Sequence, residues 1–139
     1  MNYLFKNITM MIAASTIFSG CLTHKTDIND YLEVGYKPVV VEGRIARETE
    51  QDPIDKTYRK IWVLIPNRPL TVKGFSYENH EAIWYKDVRT MQMAMDEGGY
   101  DKWSDFVDTD VKVTGTLFQG ISRWHYTDIL ISIIDIKKP

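Results

Sequence analysis

The chain has 139 residues, with 17 basic against 19 acidic side chains and a net charge of −2. That length suits one domain with a core of its own, and the mild acidity, spread along the chain, excludes the electrostatic footprint of a nucleic-acid binder or a polybasic membrane surface. A single cysteine excludes any internal disulfide.

The first twenty residues, MNYLFKNITMMIAASTIFSG, carry one charge at Lys6 and then an apolar stretch from Ile8 to Phe18. This is the n-region and h-region of a secretory signal, too short for a comfortable permanent span. Phe18-Ser19-Gly20-Cys21 follows: an apolar residue, two small ones and the lone cysteine. It looks like a bacterial lipobox, so residues 1–20 are expected to be a lipoprotein signal peptide, with Cys21 acylated after cleavage. Each buried methylene contributes about 0.8 kcal/mol, so several acyl chains on Cys21 give a lasting anchor to membrane lipid. Cleavage removes one cation, Lys6, taking the net charge from −2 to −3 over the remaining 119 residues. Leu22, where inner-membrane lipoproteins usually carry aspartate, favours an outer-membrane address facing the periplasm in a Gram-negative host.

Residues 21–37 are polar and nearly patternless, as befits a lipidated cysteine and flexible tether. The folded domain is expected over residues 38–139. Pro38 to Arg47 (PVVVEGRIAR) is dense in β-branched residues and places Val39, Val41, Gly43 and Ile45 on one face at period two, the pattern of a strand. Glu48 to Lys56, with Asp52-Pro53, supplies the turn. Tyr58 to Ile65 (YRKIWVLI) is a second strand, stopped at Pro66-Asn67-Arg68-Pro69 because proline cannot donate to a ladder. Leu70 to Lys73 resumes it briefly, Glu78 to Ala82 is polar enough for a loop, and Ile83 to Met95 is expected to be a strand over its second half.

Gly98-Gly99 reads as a break, after which Tyr100, Trp103, Phe106 and Val107 recur at helical spacing. Val111 to Phe118 (VKVTGTLF) and Thr127 to Ile136 (TDILISIIDI) are the last two strands. Val39–Ile45 and Val111–Leu117 share the pattern V-x-V-x-G-x-aliphatic, and glycine at equivalent places in two strands suggests tight coiling to close a barrel. Three strands, a short helix and two strands is the order of the oligonucleotide/oligosaccharide-binding (OB) fold. The fold class is therefore mostly β: a small five-stranded OB-like barrel with one short helix between its third and fourth strands. The alternative is an open antiparallel sheet with one helix packed on it.

Loosely over most of the mature chain, and more closely over its last third, the sequence also resembles an uncharacterised bacterial exported family, domain of unknown function 4431. The resemblance rests on V-x-V-x-G at Val111 to Gly115, Leu117-Phe118, His125 with Thr127 and the aliphatic strand after it, with weaker support from Val41-x-Gly43 and Met91-Gln92-Met93. The family pattern carries a run of histidines before the threonine, where this chain has His125 between Trp124 and Tyr126. The family implies no established activity.

Arg123-Trp124-His125-Tyr126 precedes the last strand and is the candidate ligand- or partner-binding site. His125 lacks a second histidine at ligand spacing, since His24 lies in the tether and His80 in a loop, so a hydrogen-bonded structural imidazole is the simpler reading. Trp124 and Tyr126, with Arg123 beside them, have the composition of an interface anchor or of a sugar-stacking platform. The plainer reading has one of them capping the core and the other flat on the rim. Met91, Met93 and Met95 alternate; thioethers suit Cu(I), but methionines on one strand face more often fill a core. Asp101, Asp105, Asp108 and Asp110 lack the spacing of a calcium loop.

No Ser-His-Asp, G-x-S-x-G, H-E-x-x-H or phosphate-loop pattern occurs. The expectation is thus a membrane-anchored envelope lipoprotein without catalytic residues, metal or cofactor, binding another envelope protein, of inhibitor or immunity type by analogy of size. A cell-wall glycan or small-ligand binder is the alternative, and a metal carrier or enzyme centred on His125 and the methionines trails both.

Overall fold

The structure, a computed structural model, describes residues 30–139. The signal segment 1–20, Cys21, His24 and the first part of the tether lie outside the described residues. Eight strands and one α-helix follow in chain order: β1 Leu32–Glu33, β2 Val39–Gln51, β3 Tyr58–Pro66, β4 Leu70–Phe75, β5 Ala82–Val88, β6 Met91–Ala94, α1 Glu97–Lys102, β7 Asp110–Gln119 and β8 Ile129–Lys137. A one-turn 3₁₀ helix, Ser104–Phe106, follows α1.

Five of these strands close on themselves in the order β2-β3-β6-β8-β7. Neighbours are antiparallel except β6 and β8, which run parallel from Gln92↔Leu130 to Ala94↔Ser132. Counted within the ring, that is first-second-third-fifth-fourth, with α1 between third and fourth: the OB order expected from the sequence.

The period-two pattern dictates the interior. Val41 and Ile45 of β2, Trp62 and Leu64 of β3, Met91 and Met93 of β6, Val111, Val113 and Leu117 of β7, and Ile129, Ile131 and Ile136 of β8 form one buried cluster. Met91 and Met93 thus meet aliphatic neighbours inside the ring, where flexible thioethers fill irregular space. Trp103, Phe106 and Val107 pack against this cluster, and Tyr100 meets Trp62 edge to face with centroids 5.4 Å apart. The aromatic stripe after β6 therefore caps one end of the barrel.

Two glycines let the ring close. Gly43 pairs with Pro66 of β3 on one side and Val111 of β7 on the other, and a Cβ there would collide with the Ile65 carbonyl. Gly115 sits at the register shift between β7 and β8, where a Cβ would meet the Ser132 carbonyl and Ile131 Cγ1 at 2.7 Å. Close backbone approach at a bend is the physical reason for V-x-V-x-G.

Several boundaries differ from expectation. Order begins before Pro38: Leu32 and Glu33 pair in parallel with Val72 and Lys73, and the Gly35 amide donates to the Leu117 carbonyl at 3.0 Å. The part of the tether within the described residues is thus fastened to the domain. Gly98-Gly99 lies inside α1 rather than breaking the chain ahead of it. Ile83 to Met95 holds two strands in different sheets: β5 joins β1 and β4 in a separate three-stranded sheet, β1-β4-β5, while β6 belongs to the barrel.

That small sheet was not expected, and one side chain docks it. Gln119, 5 % exposed at the end of β7, accepts from the Phe75 amide at 2.8 Å, donates to the Phe75 carbonyl at 3.0 Å and donates to the Tyr85 hydroxyl at 2.9 Å. Its carboxamide acts as an extra peptide group, joining the sheet edge to the barrel. Gly74 leaves room for it, since a Cβ there would lie 2.7 Å from Gln119 Oε1.

Candidate functional site

The loop joining β2 to β3, residues 52–57, and the loop joining β7 to β8, residues 120–128, meet at one end of the barrel. Both are built locally. The Asp52 carboxylate Oδ1 accepts the amides of Ile54 at 2.8 Å and Asp55 at 3.1 Å, and Asp55 Oδ1 accepts Thr57 N at 2.9 Å and Thr57 Oγ1 at 2.6 Å. Short polar side chains satisfying amides two or three residues on is what Asp does in turns. The second loop is closed at its neck by the Gly120 amide donating to the Asp128 carbonyl at 2.8 Å.

Arg123 links the two loops. Its Nη2 donates to Asp55 Oδ2 at 3.2 Å, and its Nε lies 3.4 Å from Oδ2 of the fully buried Asp52. Asp52 Oδ2 has no aligned hydrogen-bond donor, so the Asp52 contact is coulombic, a long ion pair. Hydrogen bonds from Thr57, first by its hydroxyl and then by its amide, hold the Asp55 carboxyl below the usual aspartate value, with Arg123 and Arg59 adding smaller favourable fields.

Trp124 follows. Arg59 Cζ stands 3.5 Å from its ring centroid and Arg123 Cζ 4.0 Å. Two guanidinium groups so near one centroid overlap if they share a side, so the indole lies between them with a cation on each face. Such contacts contribute about 0.5–1 kcal/mol each when exposed. Trp124 is still 37 % exposed, and with both faces of the indole covered the edge is what remains open.

Gln92 of β6 holds the loop against the barrel wall. Its amide N donates to Thr127 Oγ1 at 2.9 Å, its side-chain Nε2 donates to the Trp124 carbonyl at 3.1 Å, and its Oε1 accepts the Tyr126 amide at 2.8 Å. Thr127 Oγ1 donates its own proton to the Ile129 carbonyl at 2.7 Å. Gln92 and Gln119 therefore play matching parts, one binding the loop and the other the small sheet.

His125 points back into its own loop. Its Nδ1 accepts the amides of Ile121 at 3.0 Å and Ser122 at 3.3 Å, and its ring meets Phe118 edge to face at 5.6 Å. Two amides aimed at Nδ1 require that nitrogen to be unprotonated, and the imidazole's visible work is to shape the turn. Among the described residues no group of three or more His, Cys, Asp or Glu side chains is placed to hold a metal.

Trp124 and Tyr126, with Arg59, Lys60, Ile61 and Gln92, line a shallow depression of about 350 Å³. The Tyr126 hydroxyl is buried and without a hydrogen-bond partner. All four residues singled out in the sequence fall in one loop, with Arg123, Trp124 and Tyr126 toward the barrel rim and His125 turned inward. Arg59, Asp52, Asp55 and Gln92 complete the assembly and were missed. Each is a polar residue in a strand or turn, and no local spacing ties it to a loop some 30 to 70 positions away.

The fold defines the class: a five-stranded barrel of OB order carrying a small accessory sheet. A family model described as Domain of unknown function (DUF4431) matches residues 90–137, a stretch that takes in Gln92, the whole 120–128 loop and strands β6 to β8. The chain resembles that family over this stretch. No curated protein matches the chain. Among the described residues no helix is long and apolar enough to cross a membrane.

Proposed function

We propose that this chain is a lipid-anchored bacterial envelope protein whose barrel is a non-catalytic binding module, engaging another protein through the rim formed by Arg59, Arg123, Trp124 and Tyr126. The reading rests on one observation: Trp124 is exposed at its edge yet fixed on both faces by guanidinium groups. Tryptophan and arginine dominate interface hot spots, and an anchor already held in place loses little freedom on binding. Face-stacking on a sugar ring is less well served, because it needs an open aromatic face. OB barrels bind across this surface and its flanking loops, which makes the rim the natural place for a contact.

The lipid half of the proposal rests on Phe18-Ser19-Gly20-Cys21. It gives the binding surface a membrane address, on the periplasmic side of the outer membrane in a Gram-negative cell. An inhibitor or immunity role fits such an arrangement.

Capture of envelope components by the full-length protein, compared with Trp124→Ala, tests the reading. One envelope protein is expected to be retained by the wild type and lost by the variant, with the melting temperature nearly unchanged. Identical captured sets would refute the rim. Labelling with a palmitate analogue, present in the wild type and absent in Cys21→Ser, tests the anchor.

A further inference from the structure

The depression beside Trp124 has an electrostatic imbalance. Arg59 and Lys60 line it, and neither is ion-paired within the described residues. No carboxylate lines it. Of the nearby acids, Asp52 and Asp55 both face Arg123, at 3.4 and 3.2 Å, with Asp55 further occupied by Thr57, while Glu50 stands opposite Arg59 across β2 and β3 and forms no ion pair among the described residues. Arg59 reaches Asp55 only through a weak longer-range field. Stacking on the indole uses the flat face of the Arg59 guanidinium and leaves its in-plane N–H groups for an acceptor.

Tyr126 also lines the depression, but its hydroxyl is buried away from solvent and has no hydrogen-bond partner. Gln92, by contrast, has both ends of its carboxamide committed to the loop backbone. The free donors are thus a guanidinium and an ammonium. Ile61 supplies an apolar shoulder.

We infer that this depression receives a carboxylate from an acidic segment of the protein partner, with Arg59 and Lys60 as its counter-charges. The inference rests on the rim being a protein-binding surface, and it names the chemistry of what docks there. A planar carboxylate matches the fork of a guanidinium, and Ile61 suits the methylenes of a glutamate.

Isothermal titration of the full-length protein in neutral-detergent micelles with an end-blocked oligoglutamate peptide tests it, with inorganic phosphate as a second probe. Saturable binding of the peptide is expected, weakening as salt rises and falling about tenfold in Lys60→Gln, which leaves the Arg59 stack intact. No saturable binding, wild-type binding by both Lys60→Gln and Arg59→Gln, or binding of phosphate in place of the peptide would each overturn the carboxylate assignment. If Trp124-dependent capture of an envelope protein holds while oligoglutamate fails to bind, the rim stands and only its acidic partner falls.

Discussion

Arg123 Nε lies 3.4 Å from Oδ2 of Asp52, a carboxylate with no exposed surface contributed by a residue 71 positions earlier. The pair joins the two loops of the barrel rim and gives Oδ2, which no hydrogen-bond donor reaches, its one cation, while Oδ1 keeps the two turn amides. Arg123→Ala therefore costs more than an ordinary surface change: about 1–3 kcal/mol, because it leaves one oxygen of a buried carboxylate without a counter-charge. Asp52→Asn is expected to be milder than Asp52→Ala, since a carboxamide oxygen still accepts the Ile54 and Asp55 amides while alanine loses both. Urea unfolding of the three variants checks the order. Equal losses for Asn and Ala would show that the turn bonds contribute nothing.

Asp55 gives the rim a pH dependence of known sign. Hydrogen bonds from Thr57 lower its folded-state value below that of the unfolded chain. Its carboxylate then contributes stability that is fully present above the unfolded value and is lost as pH falls through the folded one. Thr57→Val removes the leading cause, the hydroxyl bond, so the Asp55 titration followed by NMR should move up toward the ordinary aspartate value. The acid-side decline in stability should become shallower in that variant. A titration midpoint identical to wild type would remove Thr57 as the cause.

The barrel was legible because its signal is periodic. Val41, Gly43 and Ile45, or Val111, Val113 and Leu117, alternate with polar residues over whole strands, so inward and outward faces separate in the sequence itself. The small sheet was not, for the opposite reason. β1 has two residues, and β5 is exposed along most of its length, so neither carries a burial rhythm. Gly98-Gly99 misled because glycine reads as a breaker, whereas α1 is only six residues long and buries none of them. In the site, neighbours in sequence such as Arg123 and Trp124 were readable as a group. Arg59 and Gln92 lie in strands where no local signal marks a site, and only barrel closure brings them to the loop.

Gln92 and Gln119 make this last point testable. Each replaces a missing backbone partner with a carboxamide, so removal leaves polar backbone groups unpaired in partly buried places. Gln92→Ala is expected to cost about 1–3 kcal/mol and, more tellingly, to speed hydrogen exchange at Tyr126 while leaving Phe75 protected. Gln119→Ala should do the reverse, exposing the Phe75 amide and leaving Tyr126 unchanged. Uniform exchange at both amides in either variant would mean that the loop and the accessory sheet open only with the whole domain.

Glycine substitutions separate closure of the ring from mere backbone preference. At Gly43 an added Cβ meets the Ile65 carbonyl, with Pro66 Cα at 2.9 Å, and backbone on the neighbouring strand cannot swing aside as a side chain does. Because β2 pairs on both sides at this residue, displacing one partner strains the other. Gly43→Ala should therefore destabilise by about 3 kcal/mol, the upper part of the overpacking range. Gly98 is the counter-case: it lies in α1 with nothing within 4 Å of where a methyl group would stand and no left-handed φ, so alanine gains helix propensity without meeting an obstacle. Gly98→Ala should stabilise by about 0.5–1 kcal/mol. Thermal and urea unfolding of the two variants should move in opposite directions; a neutral Gly43→Ala would mean that β2 and β3 do not approach as closely as the closed ring requires.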